Sequence, residues 1–385
     1  SKPVTDAGLV FSFVIGTALF SVLLLYEIYK KFQIPTWAFW GGILACMINV
    51  PLIWLLTRPT FYEVSISGGQ FFLIAGFYFL FLGFRNPQPN LIYLCASSLA
   101  FGLSGATRIN LLPAIIVLTA IVLLKIYFAN QKNFSKSLLT FAVFLTPLIV
   151  TAISLSWYNY IRFGSIFEFG HRYQLTGPAL TANYEDISST EYIIPNIYTY
   201  IFRLPSIHQE FPFFTILKIK QNMWPFFIRV PEYYNYTEPS AGILFIIPLI
   251  GFATFLLARL FWLFINGDIP KTTSSVTNTN QIWFALYLLI YTFIQFSILL
   301  LFLYASVRYL LDVSQILIIL STLFVGNYVQ RFDTNPVVKK IISVSWVIVS
   351  ILTFAFGFMI GLTGDKNTFL NQNPALFHLM ASWFN

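Results

Sequence analysis

Long apolar runs recur along almost the whole chain. A helix that crosses the hydrocarbon layer of a bilayer needs about 20 predominantly apolar residues. Because the backbone has no water to bind inside the layer, each such run is expected to be an α-helix. The sequence predicts ten of these helices, at 8–29, 36–57, 70–84, 90–105, 108–128, 137–157, 241–264, 282–304, 308–326 and 341–362. The predicted fold class is an all-α integral membrane protein.

One long connection interrupts the apolar pattern and suggests how the chain is organised. Residues 158–240 mix aromatic side chains with charges. We therefore expect six membrane helices in 1–157, an extracytoplasmic loop region in 158–240, and four helices with a short outer tail in 241–385. A connection this long is usually functional. Within it, 196–229 predicts amphipathic helices lying in the membrane interface; a structural plug over the helix ends is the alternative.

Composition supports a membrane protein and excludes most other classes. Charged residues make up 9% of the chain and hydrophobic residues 57%, whereas soluble domains carry roughly 25% charged residues. The two cysteines, Cys46 and Cys95, fall in apolar runs. We therefore predict that both are buried free thiols rather than a disulfide. The span centres are almost free of charge, which disfavours an ion-coupled transporter.

The basic residues are unevenly divided between the two sides of the predicted membrane. Alternate connections hold eleven Lys and Arg residues and three acids, so the whole formal net charge of +8 lies on one side. By the positive-inside rule that side is the cytoplasm. The N-terminus, 158–240 and the tail after 362 are then expected outside. This placement explains the basic balance without nucleic acid. Because the chain starts with Ser1 and enters a span at once, we expect an upstream span and loop.

Arginines recur at the outer ends of the predicted spans and are candidates for binding phosphate. Arg58 follows the second span, Arg108 opens the fifth and Arg308 opens the ninth. The planar guanidinium stays ionised and makes two charge-assisted hydrogen bonds to a phosphate. Several arginines at one depth would suit a phospholipid-linked substrate. Interface anchors are the alternative, and Arg308 also stands at ion-pair spacing from Asp312.

Acidic and histidine residues on the same side are candidates for acid–base chemistry. Glu63 is expected just outside a span end, and Glu168 lies in the long loop. The adjacent acids at 185–186 lie in a Ser-rich stretch that is more typical of a solvated turn. The histidines show no metal-type spacing, although His171 beside Arg172 could bind an anion.

Several of these segments together resemble bacterial polytopic glycosyltransferases of the GT-C type, similar to the protein O-mannosyltransferases and the lipid A aminoarabinose transferases. The resemblance spreads over most of the chain. It is carried by 157–165 (WYNYIRFGS), Glu168, 170–173 (GHRY), 58–63 (RPTFYE), 102–108, Glu238 with Pro239 and Gly242, and Arg308 with Tyr309.

The resemblance implies a sugar donor carried on a polyprenyl phosphate and chemistry on the extracytoplasmic face of a bacterial plasma (inner) membrane. An acidic residue would deprotonate the acceptor while basic residues hold the phosphate leaving group. In that family the acid usually lies in the first outer loop, which this chain lacks, so the catalytic residue stays unknown, with Glu63 and Glu168 as weak candidates. The expected substrate-binding residues are Arg58, Arg108, Arg162, His171, Arg172, Tyr173 and Arg308.

Three other functions remain open from the sequence. A non-catalytic subunit of a membrane complex, derived from the same fold, is favoured by the missing acidic loop. An O-antigen polymerase or ligase also combines many spans with a long outer loop. A lipid or solute transporter is disfavoured because the span centres are almost free of charge.

The cofactor is unknown: a divalent metal is compatible with the sequence, but no ligand pattern is evident. The expected partners are the bilayer, the lipid-linked sugar and membrane protein subunits.

Overall fold

Helices dominate the computed structural model, which describes residues 4–130, 133–170, 173, 187–232, 234, 238–266, 279–331 and 335–384. The α-helices, in chain order, are α1 Asp6–Phe32, α2 Thr36–Met47, α3 Val50–Thr57, α4 Phe61–Gly83, α5 Leu91–Thr107, α6 Leu112–Ala129, α7 Phe134–Phe163, α8 Ile193–Ile197, α9 Ile243–Ile246, α10 Pro248–Ile265, α11 Thr279–Leu300, α12 Leu311–Arg331, α13 Pro336–Thr363, α14 Thr368–Gln372 and α15 Pro374–Ala381. Strands β1 Ser206–Ile207 and β2 Phe214–Thr215 form one antiparallel pair.

Eight helical stretches in the described part of the chain are long and apolar enough to cross a membrane. They are Asp6–Phe32, Thr36–Thr57, Phe61–Gly83, Ile109–Ala129, Phe134–Phe163, Gln281–Leu300, Val307–Gln330 and Pro336–Thr363. Two shorter apolar helices, Leu91–Thr107 and Pro248–Leu263, lie where two more spans were predicted. The chain is therefore a multi-pass, all-α membrane protein, as its apolar pattern predicts.

The second predicted span is divided into α2 and α3 at Asn49. The Asn49 side chain donates to the Ala45 carbonyl at 2.9 Å and accepts from the Leu52 amide at 3.2 Å, so it caps α3 inside the bundle. Gly357 of α13 lies against this break, where an added Cβ would meet the Asn49 backbone at 3.0 Å. The polar break is thus satisfied locally and covered by a close helix.

Close helix approach at glycine recurs where α2 meets α12 and α13. A Cβ on Gly41 would lie 2.3 Å from Nε1 of Trp346, and one on Gly42 would lie 2.4 Å from Oγ1 of Thr322. Membrane helices associate through such small residues, because lipid gives no hydrophobic drive for their contact. This packing buries Trp346 completely.

The predicted start of the third span at residue 70 is wrong. Helix α4 begins at Phe61, nine residues earlier, with a capping box between Thr60 and Glu63. Glu63 therefore lies in the first turn of a helix and is 2% exposed, rather than outside a span end. The prediction started too late because the polar residues Glu63, Ser65 and Ser67 lower the hydropathy of this turn. Inside the helix bundle their side chains are all hydrogen-bonded.

The long connection contains short elements instead of the amphipathic helices predicted for 196–229. Helix α8 continues as a π-helical turn to Phe202, the β1–β2 hairpin follows, and Gln221–Met223 form a single 3-10 turn. Asn196 donates to the carbonyls of Leu300 and Phe302 at 3.0 and 2.7 Å. The connection is thus fastened over the C-terminal end of α11, whose last carbonyls lack helical partners.

The chain ends against the hairpin. Phe211, in the turn between β1 and β2, packs against Phe377 of α15 and stacks on Phe384 at a ring-centroid distance of 5.3 Å. Phe384 also meets Phe213 edge-on. These aromatic contacts hold the short C-terminal helices on the long connection.

The cysteine prediction is correct for one residue and wrong for the other. Both thiols are free, but Cys46 is buried and Cys95 is exposed. Cys95 lies in α5 on a face that the bundle leaves uncovered, so an apolar run does not distinguish a core position from an outward-facing one.

We expect Gly242→Ala to destabilise the junction between the long connection and α9. An added Cβ would lie 2.4 Å from the Ile201 carbonyl oxygen, and backbone cannot yield as a side chain can. The cost should be about 1–3 kcal/mol, seen as a lower midpoint of thermal unfolding in detergent. Gly8→Ala is the control, since its new Cβ meets only the Thr5 hydroxyl, at 3.3 Å. Equal midpoints for the two variants would contradict this account.

Candidate functional site

Five charged residues from distant parts of the sequence meet at one end of the bundle, and we call them the ionic cluster. They come from the first turn of α4, the C-cap of α5, the end of the long connection, the 3-10 turn before α12, and the first turn of α12. The members are Glu63, Arg108, Glu238, Arg308 and Asp312.

Glu63 is positioned by its own helix terminus. Its Oε2 accepts from the Thr60 amide at 3.2 Å and from the Thr60 hydroxyl. This capping box fixes the carboxylate over the first turn, where the helix dipole also favours negative charge. Its other oxygen, Oε1, is left to accept from Nη1 of Arg308 at 2.9 Å.

Arg308 lies between two carboxylates. Its Nη1 binds Glu63, and its Nη2 donates to Oε1 of Glu238 at 3.2 Å. The ring centroids of Tyr62 and Tyr309 lie 5.8 and 5.2 Å from the guanidinium carbon, within cation–π range. The side chain is 8% exposed, and its Nε has no hydrogen-bond partner among the described residues.

Arg108 and Asp312 form the deeper half of the cluster. Nη2 and Nε of Arg108 both donate to Oδ2 of Asp312, at 2.6 and 3.1 Å. The amides of Gln70 and Gln295 complete the surroundings of the carboxylate at 3.3 and 3.4 Å. Asp312 is fully buried, and a buried carboxylate is tolerated only when its oxygens are paired in this way.

Glu238 is the member of the cluster nearest to solvent. Its side chain is 14% exposed, and its Oε2 lies 3.5 Å from the Ser306 hydroxyl. The hydroxyls of Tyr304 and Tyr309 are hydrogen-bonded to each other at 2.7 Å. Burial raises the pKa of the Tyr304 hydroxyl, so it stays protonated and can donate. With three carboxylates against two guanidinium groups, the ionic cluster carries a formal excess of negative charge.

The structure brings together Arg108, Arg308 and Glu63 from the sequence-based candidates. It also shows that both guanidinium groups are already bound to carboxylates, so neither presents a free fork to a phosphate. The suggested i,i+4 pair between Arg308 and Asp312 is wrong. Arg308 lies in a 3-10 turn and bonds to Glu63 and Glu238, whereas Asp312 bonds to Arg108.

Arg58 and Arg162, two further arginine candidates, lie near the surface and are not members of the ionic cluster. The Arg58 side chain is 47% exposed, and its Nη1 lies 3.6 Å from Oδ2 of Asp365, a long distance for an ion pair. Arg162, in the last turn of α7, donates to the Tyr158 hydroxyl at 2.8 Å and lies over the Phe163 ring. Tyr173 stacks on the same Phe163 ring, at a centroid distance of 5.3 Å.

The loop candidates are only partly described. Glu168 accepts from the Gly170 amide at 2.9 Å, which is a local turn contact. His171, Arg172 and the acids at 185–186 lie outside the described residues. Among the described residues, no group of three or more His, Cys, Asp or Glu side chains could hold a metal ion.

Two members of the cluster were not nominated from the sequence. Glu238 appeared only within the resemblance, and Asp312 only as a local partner of Arg308. A usable signal was present, because Gln70, Gln295 and Asp312 are polar residues inside or next to apolar runs. Polar residues in spans face the bundle interior and mark functional sites.

Comparison of the chain with models of protein families, with curated proteins and with solved structures gives no match. The resemblance to GT-C glycosyltransferases therefore stays a prediction.

We expect Asp312→Asn to lower the free energy of unfolding by about 3–5 kcal/mol, because Arg108 would keep its buried charge without a counter-ion. The double variant Arg108→Met with Asp312→Leu should recover most of the loss, since it removes both charges and keeps the volume. Thermal unfolding of the purified chain in detergent measures both. If the double variant were as unstable as the single one, the unpaired charge on Arg108 would not be the cause of the loss, and the Arg108–Asp312 pair would itself be required for stability.

Proposed function

We propose that the chain is a membrane glycosyltransferase that moves a sugar from a polyprenyl-phosphate donor to an acceptor on the extracytoplasmic face. The observation that supports this proposal most is the ionic cluster, in which Glu238 is a partly exposed carboxylate held by a buried Arg308. Buried ionisable groups at membrane depth are costly and usually serve function. The resemblance of the surrounding segments to GT-C enzymes agrees with it.

The charge distribution supports the extracytoplasmic side for this proposal. All members of the ionic cluster lie in or beside connections that the positive-inside rule assigns to the outside. The cytoplasmic connections then carry the excess of Lys and Arg. Nucleotide sugars are not present outside the cytoplasm, so a donor used there has to arrive anchored in the membrane.

In this proposal Glu238 is the general base. Its carboxylate takes the proton of the acceptor hydroxyl, and the hydroxyl oxygen bonds to the anomeric carbon of the sugar. The bond between that carbon and the phosphate oxygen breaks, and polyprenyl phosphate leaves with the electron pair. Arg308 orients Glu238 through the 3.2 Å contact, as a positioning residue does.

The leaving phosphate needs a cation that the ionic cluster does not supply. Arg108 and Arg308 are already paired with carboxylates. Arg58 precedes α4 at the same end, is half exposed, and has only a 3.6 Å contact to Asp365. We assign Arg58 to the phosphate, because an exposed guanidinium can change partners at little cost and can form two charge-assisted bonds.

Arg58→Ala should weaken binding of polyprenyl phosphate about tenfold, the loss of a charge-assisted contact worth about 1.4 kcal/mol or more. The measurement is the rise in unfolding midpoint of the purified chain on titration with undecaprenyl phosphate, with the uncharged polyprenol as the lipid control. Lys220→Ala is the control variant, since Lys220 is exposed in the long connection. Equal titration curves for the two variants would remove Arg58 from the site.

Glu238→Gln should reduce sugar transfer 10²–10⁴-fold, the usual contribution of a general base, while leaving the binding of polyprenyl phosphate intact. The assay follows tritiated sugar from polyprenyl-phosphate hexoses and pentoses into acceptors of the source membranes, in reconstituted vesicles. Glu232→Gln is the matched control, because Glu232 is an exposed acid of the same connection. Full transfer by Glu238→Gln would refute Glu238 as the base.

A second candidate is a non-catalytic subunit of a membrane complex. The observation that favours it is the closed pairing of Arg108 with Asp312 and of Arg308 with Glu63 and Glu238, which also suits a purely structural cluster. The same assay separates the two, because a structural subunit transfers no sugar with any donor. An O-antigen polymerase or ligase would instead release a polyprenyl diphosphate.

A further inference from the structure

A second site lies at the opposite end of the bundle from the ionic cluster. Helix α4 has 23 residues, or about 34 Å of helix, with Glu63 in its first turn and Arg85 just beyond its end. Around Arg85, the ends of α1 and α6 and the start of α11 enclose a small recess of about 20 Å³, which has room for about one water-sized group. We call it the basic recess.

Three cations surround the basic recess. They are Lys31 from the last turn of α1, Arg85 after α4, and Lys125 from α6. Lys31 donates to the Arg85 carbonyl at 3.0 Å, and Lys125 Nζ lies 5.3 Å from the Trp283 ring centroid. Among the described residues, the acid paired with this group is Glu27, whose Oε2 lies 2.8 Å from Nη1 of Arg85. The positive charges therefore exceed the negative ones at this mouth.

The floor of the recess carries a polar group that the protein does not satisfy. Tyr287 of α11 is 2% exposed, and its hydroxyl has no hydrogen-bond partner among the described residues. A buried hydroxyl without a partner costs about 1–3 kcal/mol. It lines the same recess as the three cations, so it can donate to an oxygen atom that enters between them.

The walls between mouth and floor are apolar. Phe81 packs edge-on against both Phe32 and Phe284, at centroid distances of 5.8 and 4.9 Å, and Leu80 and Phe84 complete the lining. A free phosphate ion gains nothing from aromatic walls. A lipid places a phosphate at the membrane surface and an apolar chain directly below it, which matches a cationic mouth over an aromatic wall.

We propose that the mouth of the basic recess binds the headgroup phosphate of an anionic phospholipid, with Lys31 and Arg85 at the phosphate and one phosphate or ester oxygen entering the recess to accept from the Tyr287 hydroxyl. Basic pockets between membrane helices bind such headgroups by this combination of charge and apolar contact. The proposal concerns the end of the bundle away from the ionic cluster and does not depend on the proposed transferase activity.

The test is lipid binding by the full chain, purified in detergent and titrated with phosphatidylglycerol, with bound lipid counted by native mass spectrometry. Phosphatidylcholine and inorganic phosphate are the comparison ligands. We expect phosphatidylglycerol to bind at least tenfold more tightly than either. Lys31→Met keeps the apolar stem and should weaken binding about tenfold, as the loss of one charge-assisted contact does. Tyr287→Phe should weaken it about threefold.

Lys340→Met is the control variant, because Lys340 is an exposed cation near the start of α13. It should bind phosphatidylglycerol as the unaltered chain does. Unfolding midpoints in lipid-free detergent check that Lys31→Met and Tyr287→Phe are folded. Three results would overturn the proposal. Phosphatidylcholine could bind as tightly as phosphatidylglycerol, or inorganic phosphate alone could do so. Lys340→Met could also weaken the binding of phosphatidylglycerol as much as Lys31→Met does.

Discussion

A charge buried at membrane depth has to be paired, and in this protein the pairing requires segments that are far apart in sequence to meet. Asp312 binds an arginine 204 positions away, and Arg308 binds a glutamate 245 positions away. Removing a partner from a buried pair leaves an uncompensated charge. The start of α4, the end of α5 and the start of α12 are thereby held at one level. Helix packing alone fixes such levels weakly, because apolar helix surfaces can slide past one another in lipid.

The long connection takes its position from the same constraint. Glu238 reaches Arg308, and the neighbouring Val307 amide donates to the Pro239 carbonyl at 3.0 Å. At its other end, the Ser189 amide donates to the carbonyl of Leu301, just after α11. The Leu303 amide in turn donates to the Ile187 carbonyl. The connection is therefore fastened to the segment before the 3-10 turn that carries Arg308 and to the first residue of that turn. It covers the ionic cluster and leaves Glu238 as the acid in contact with solvent.

The apolar pattern was sufficient to predict an all-α chain with several helices long enough to cross a membrane, because span length is a one-dimensional property. It was insufficient at α4, where Ser65 donates to the Thr107 carbonyl at 2.7 Å and Ser104 of α5 donates to the Gly69 carbonyl at 2.8 Å. Such polar residues lower local hydropathy yet belong inside the bundle. The pairing in the ionic cluster was also beyond the sequence. Local spacing suggested Arg308 with Asp312, whereas the partners are chosen by tertiary packing.

The two ends of the bundle differ in charge for a reason that lies in helix direction. Helices α1, α4 and α6 all run toward the basic recess, and each brings a cation to or near its C-terminal end: Lys31, Arg85 and Lys125. The unpaired carbonyls there carry partial negative charge, which stabilises cations. At the other end, α4 places Glu63 in its first turn, where unpaired amides favour an acid. The helix ends thus lower the cost of gathering like charges before any ligand arrives. An anion bound at the basic recess as proposed would therefore lose little energy to rearrangement of the protein.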